Sequence, residues 1–104
     1  MYRVYRTETF DKLVRKLSKE EQKQITRIEN QLKVNPFVGK PLGYRFFREK
    51  KIKGKRIYYL VYEDMVIVLL VGLSDKKTQQ ATINEIKDKL PRYYETIKKA
   101  LQKR

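Results

Sequence analysis

Cysteine and histidine are both missing from this 104-residue chain, and glycine and proline are scarce, at four and three. Without cysteine there is no disulfide, no thiolate nucleophile and no Cys-bearing zinc site. Without histidine the commonest general base and the commonest transition-metal ligand are gone. Any catalysis therefore rests on Lys, Arg, Tyr, Asp, Glu or hydroxyls. Long apolar runs are missing too: the longest, Met65 to Leu73, has nine residues and falls far short of a membrane span. The opening MYRVYRTETF carries no apolar signal-peptide core. The four glycines, at 39, 43, 54 and 72, form no phosphate loop, and no metal-ligand spacing occurs. The expectation is one domain spanning 1–104, cytoplasmic, off the membrane and without metal or small-molecule cofactor.

What is present is positive charge. Lys and Arg number 26 against 12 Asp and Glu, a formal net charge of +14. Eight Tyr and four Phe argue against disorder, whose usual mark is a shortage of aromatics. A one-sided charge of this size on a small domain points to a polyanion, with nucleic acid first. Surface ion networks of the high-temperature kind are the competing explanation, but they expect balanced signs.

The pattern predicts an α+β fold. YRVYR at 2–6 alternates as a first strand. Thr7 caps a helix from Glu8 whose apolar stripe is Phe10, Leu13, Val14 and Leu17. Ser18 to Glu21 is a capping box, so a second helix follows at once, striped by Ile25, Ile28 and Leu32 and ended by Asn35-Pro36. After a loop over 36–43, three strands form a meander: 44–52, 55–62 and 65–72, joined by two-residue turns at Lys53-Gly54 and Glu63-Asp64. That register sets Lys51 opposite Arg56, Glu49 opposite Tyr58, Phe47 opposite Leu60 and Tyr58 opposite Leu69. One sheet face then carries these residues with Ile67 and Val71. The other carries Ile52, Ile57, Tyr59, Val61, Val66, Val68 and Leu70, and the helical hairpin is expected there. Asp75 caps a last helix near Lys76, bent at Pro91. Its stripe is Ile83, Ile86, Leu90, Tyr94, Ile97 and Leu101, expected on the apolar half of the first face, with an extension over about 91–104.

Charge is densest at 45–56, RFFREKKIKGKR, where seven of twelve residues are basic and one is acidic, a local net of +6. Arg45, Arg48, Lys50, Lys53 and Lys55 read as phosphate contacts, with Tyr44, Phe46, Phe47 and Tyr58 available to stack bases. Lysines protecting an edge strand explain part of such a run. Lys76, Lys77 and Gln80 follow the last strand, near a helix start that favours anions. Glu49, flanked by Arg48, Lys50 and Lys51, balances charge or takes a proton from a ribose hydroxyl.

The ordered set of NPFVGKPL, the basic hairpin, GKRIYY and VIVLLVG resembles the RelE/ParE toxin superfamily. The tail SDKKTQQATINEIKDKL is similar to a subgroup of RelE-like toxins found in archaea and some bacteria. The resemblance covers about 1–90 and implies a RelE-like fold. It implies an mRNA endonuclease of a toxin–antitoxin pair, acting in the ribosomal A site. The 2′-hydroxyl attacks the adjacent phosphate without a metal. Arg56 matches the family's phosphate arginine and Lys51 a basic position on the preceding strand. Arg56, Lys51, Glu49 and Tyr58 make the candidate catalytic set. The family's strand lysines fall near Phe47 and Glu49 here. Its Arg and Tyr after the last strand fall near Ser74 and Gln80, with Lys76 and Lys77 close by. The implied partners are the ribosome, mRNA and an acidic antitoxin that covers the basic hairpin or occupies the last helix, beside which Lys98, Lys99, Lys103 and Arg104 line the RNA path. A ParE-like inhibitor of DNA gyrase and a non-catalytic RNA-binding module are the alternatives.

Overall fold

The computed structural model describes residues 1–102, so Lys103 and Arg104 lie outside the described residues. The chain runs β1 (Arg3–Arg6), α1 (Glu8–Arg15), α2 (Lys19–Val34), β2 (Lys40–Tyr44), β3 (Phe47–Ile52), β4 (Lys55–Tyr62), β5 (Ile67–Asp75), α3 (Gln79–Asp88) and α4 (Leu90–Gln102). The strands form one sheet in the order β1-β5-β4-β3-β2, with β1 parallel to β5 and the rest antiparallel.

Both early helices start as their sequence dictates. The Thr7 side chain accepts a hydrogen bond from the Phe10 amide. Ser18 and Glu21 form the reciprocal capping box that opens α2. The hairpin buries Phe10, Val14, Ile25, Ile28 and Leu32 against Ile57, Tyr59, Val61, Val68 and Leu70. On the opposite face α3 and α4 bring Ile83, Ile86 and Ile97 onto Phe47, Tyr58, Leu60, Ile67, Leu69 and Val71, with Leu90, Tyr94 and Leu101 packed around them. Gly72 lets α3 close, since a Cβ there would stand 2.9 Å from the Ile86 Cδ1. Among the described residues, no helix is long and apolar enough to cross a membrane.

Four details differ from the sequence expectation. The loop over 36–43 contains β2, a short edge strand. The connection after β4 takes residues 63–66, not two, and Val66 sits there exposed at φ 57° instead of on the sheet. A bulge between Tyr58 and Tyr59 adds a further shift, so Tyr58 faces Gly72 and Leu69 faces Leu60. Asp75 remains in β5, opposite Lys55, and its carboxylate accepts from the Thr78 amide and hydroxyl at 2.9 and 3.0 Å. The last helical stretch therefore opens at Gln79, three residues later than Lys76. It divides at Lys89, just ahead of Pro91.

Candidate active site

The two-residue turn at Lys53-Gly54, with Gly54 at φ 64°, fixes the β3–β4 register. Glu49 lies opposite Tyr58 and Lys51 opposite Arg56, as expected. The bulge in β5 then switches which of its residues face this side. Beyond it Gly72 pairs with Tyr58, and Ser74 pairs with Arg56. One end of the face that α3 and α4 partly cover therefore collects Glu49, Lys51, Arg56, Tyr58 and Ser74.

Four of these side chains are in contact. The Tyr58 and Ser74 hydroxyls share a hydrogen bond of 2.8 Å. The Arg56 Nε lies 3.4 Å from the Glu49 Oε1, with side chains 12% and 3% exposed. That contact is an ion pair without a hydrogen bond: the Arg56 Nε is buried and has no hydrogen-bond partner. The Glu49 Oε1 instead accepts from the Gln79 amide Nε2 at 2.7 Å. Burial pushes the Tyr58 phenol above its ordinary value, the Ser74 bond draws it down, Glu49 pushes it up and Arg56 draws it down. Lys51 is exposed beside them.

Gln79 was not among the residues read from the sequence, where Gln80 stood instead. Gln80 donates to Asn84 one turn along α3. The shifted helix start decides which of the two glutamines meets Glu49.

The other basic residues separate by face. Arg48 is 9% exposed, and its guanidinium donates to three carbonyls: Gly39 at 3.0 Å, Arg45 at 2.9 Å and Phe37 at 3.0 Å. It fastens the 37–45 segment to the sheet, with three of its five N–H donors spent on carbonyls. Lys55 pairs with Glu21 of α2 at 2.9 Å, on the helical-hairpin side. Lys50, opposite Ile57, shares that side. Arg45 is exposed, with its guanidinium 4.1 Å from the Phe37 ring centre and Nε 3.3 Å from Glu63. Lys53, Lys76 and Lys77 are exposed. Lys76 and Lys77 precede α3 and are not in its first turn. Of the four stacking candidates, Phe47 and Tyr58 are fully buried, while Tyr44 and Phe46 are exposed and stack on each other at 4.9 Å. Lys98 and Lys99 are exposed on α4.

Chemically the cluster offers a buried guanidinium with an unsatisfied N–H, a carboxylate, a phenol bonded to a hydroxyl, and an exposed ammonium. Donors of this kind can stabilise a phosphoryl charge, and a carboxylate, phenol or ammonium can exchange a proton.

The fold is that of RelE toxins. The chain is similar to a chain of the intact E. coli RelBE toxin–antitoxin complex, with a TM-score of 0.66 and 22% identity over 72% of this chain and 96% of that one. It is similar to the isolated E. coli RelE toxin, with a TM-score of 0.66 and 20% identity over 83% and 99%. It is also similar to a chain of the archaeal RelE–RelB complex from Pyrococcus horikoshii OT3, with a TM-score of 0.64 and 17% identity over 72% and 94%. No family model matches the sequence, and no curated protein matches it.

Proposed function

We propose that this chain is the toxin of a toxin–antitoxin pair and cleaves mRNA on the ribosome without a metal. One observation carries the reading. In a RelE-type fold, the Glu49–Arg56 ion pair leaves an unsatisfied guanidinium N–H beside the Tyr58–Ser74 hydroxyl pair. In the proposed reaction the 2′-oxygen of a ribose forms a bond to the adjacent phosphorus and the bond to the 5′-oxygen breaks. Arg56 and Lys51 stabilise the charge that builds on the phosphoryl oxygens. Glu49 takes the proton from the 2′-hydroxyl, and Lys51 returns one to the departing 5′-oxygen. The products are a 2′,3′-cyclic phosphate and a 5′-hydroxyl. Tyr58, tied to Ser74, sets the polarity around Glu49.

The exposed cations Arg45, Lys53, Lys76 and Lys77 hold the RNA path, and a net charge of +14 suits a site made of ribosomal RNA. The same charge fits an acidic antitoxin, whose association is fast at low salt and slows as salt rises. The site of action is the cytoplasm.

The test is a reconstituted translation reaction in which 5′ ends are mapped. Cleavage within the ribosome-bound codon, with 5′-hydroxyl ends, supports the reading. Intact mRNA together with inhibited DNA supercoiling overturns it in favour of a gyrase inhibitor, and inactivity in both leaves a binding module. Glu49→Gln tests the proton step: lost cleavage with retained ribosome binding supports a base, and unchanged cleavage removes Glu49 from proton transfer.

A further inference from the structure

The Glu49 Oε1 has two donors within reach and bonds the weaker one. The neutral Gln79 amide is hydrogen-bonded at 2.7 Å, while the charged Arg56 Nε stands at 3.4 Å, buried and unbonded. A guanidinium is ordinarily the stronger partner for a carboxylate. The choice is therefore imposed by where the backbone holds the amide. Asp75 sets that position, since its carboxylate grips the Thr78 amide and hydroxyl one residue before Gln79. Gln79 is the side chain of α3 that donates to the Glu49 Oε1.

We propose that Gln79 is a positioning residue whose amide keeps the Glu49 carboxylate from bonding the buried Arg56 Nε and so leaves the guanidinium free to turn its outer edge to a phosphate. The inference rests on the reading of Arg56 as the phosphate-binding group and adds the device that keeps it available. Without the amide, Glu49 closes on the buried Arg56 Nε, turns the 3.4 Å ion pair into a charge-assisted hydrogen bond and ties the guanidinium inward. A phosphate must then compete with an internal carboxylate. Gln79 itself touches neither phosphate nor ribose.

The Arg56 Hε resonance of the full chain, followed by 15N NMR, reports both states. In the Gln79→Leu variant it moves downfield in the ligand-free protein, as expected for a charge-assisted bond to Glu49. The probe for phosphate is a short 2′-O-methyl oligoribonucleotide, which keeps the phosphates and resists cleavage. Its affinity, read at the same resonance, falls roughly tenfold in Gln79→Leu, the size of one charge-assisted hydrogen bond. Adding Glu49→Gln restores the wild-type position and affinity, because no carboxylate is left to close. A merely structural role for Gln79 predicts no such rescue. Gln79→Ala serves as the second variant if the amide spectrum shows that leucine disturbs the loop. An Arg56 resonance and affinity unchanged in both variants overturn the proposal, as does a loss that Glu49→Gln fails to restore. If the resonance moves in Gln79→Leu but the wild type never responds to the oligoribonucleotide, the hold on Glu49 stands and the phosphate reading beneath it falls.

Discussion

Tyr58 and Tyr59 are neighbours in β4, both fully buried, and they point to opposite faces of one sheet. The Tyr59 hydroxyl is held by backbone: it accepts from the Gly39 amide at 3.0 Å and donates to the Pro36 carbonyl at 2.8 Å. The Tyr58 hydroxyl meets side chains, Ser74 above all. The same contrast separates two arginines of one hairpin. Arg48 gives its guanidinium to three carbonyls, whereas Arg56 keeps an unbonded N–H next to a carboxylate. Backbone partners are fixed once the fold forms, while side-chain partners can exchange for a ligand. One face thus uses its polar groups to fasten loops, and the other joins them side chain to side chain.

The contrast is sharpest at the arginines. In the proposed reaction Arg56→Ala removes one preorganised donor to the phosphate and is expected to lower cleavage by about 10²–10³, with a lower melting point as a second effect because the buried Glu49 carboxylate loses its ion pair. Wild-type rates from a folded variant would erase the distinction between the two residues. Arg48→Met is expected to do the reverse. Three carbonyls lose their donor, so stability should fall by roughly 2–3 kcal/mol in urea denaturation while the salt dependence of RNA binding stays the same.

The tyrosines give a smaller version of the same test. Tyr59→Phe leaves the Gly39 amide and Pro36 carbonyl unpaired and should cost about 1–3 kcal/mol. Tyr58→Phe frees only a serine hydroxyl and should cost about 1 kcal/mol or less, with its main effect on cleavage rate. A pH scan asks this question of both faces together. Burial pushes the phenols of Tyr58, Tyr59 and Tyr62 above their ordinary value of 10.0. Each stays neutral in the folded chain where unfolded tyrosine ionises, so its contribution to stability is whole below about pH 10 and is lost as pH rises beyond it. Equal urea midpoints at pH 8 and pH 11 would contradict this.

The lysines should show the smallest effects. Lys51→Ala is expected to reduce the slope of log affinity against log salt by about 0.7 for single-stranded RNA. Lys55→Ala should leave that slope alone and change stability by less than about 1 kcal/mol, because its pair with Glu21 is part-exposed. A slope change in Lys55→Ala would place RNA on both faces of the hairpin.

Much of this arrangement was legible before the structure. Helix caps, apolar stripes and the Lys53-Gly54 turn are local signals, and they fixed the helical hairpin, the two cores and the Glu49–Tyr58 and Lys51–Arg56 pairs. Arg48 was misread because charge was counted over a segment without applying the alternation of the strand. Position 48 lies between Phe47 and Glu49 and so belongs to the opposite face. Ser74 and Gln79 belong to a segment the sequence singles out, Ser74 to Gln80, but their places beside Tyr58 and Glu49 were out of reach for another reason. Their positions depend on the four-residue connection after β4, the bulge in β5 and the delayed start of α3, each a shift of one or a few residues. Gly72 inside a strand was the one available hint of a bulge. The RelE-type fold was legible from the order of the motifs, since no single motif identifies it.

The topology also sets an order of assembly. β1 pairs in parallel with β5, Arg3 beside Ile67, so β1 has no neighbour in the sheet until β5 has been made. Pairings this distant in sequence close slowly, because the loop must be ordered before the contact rewards it. Gln79, which donates to Glu49, comes later still. A nascent chain therefore exposes its basic hairpin before it can complete the cluster around Glu49 and Arg56. For a protein proposed to act on ribosomes, the delay separates the machine that makes it from the activity it acquires.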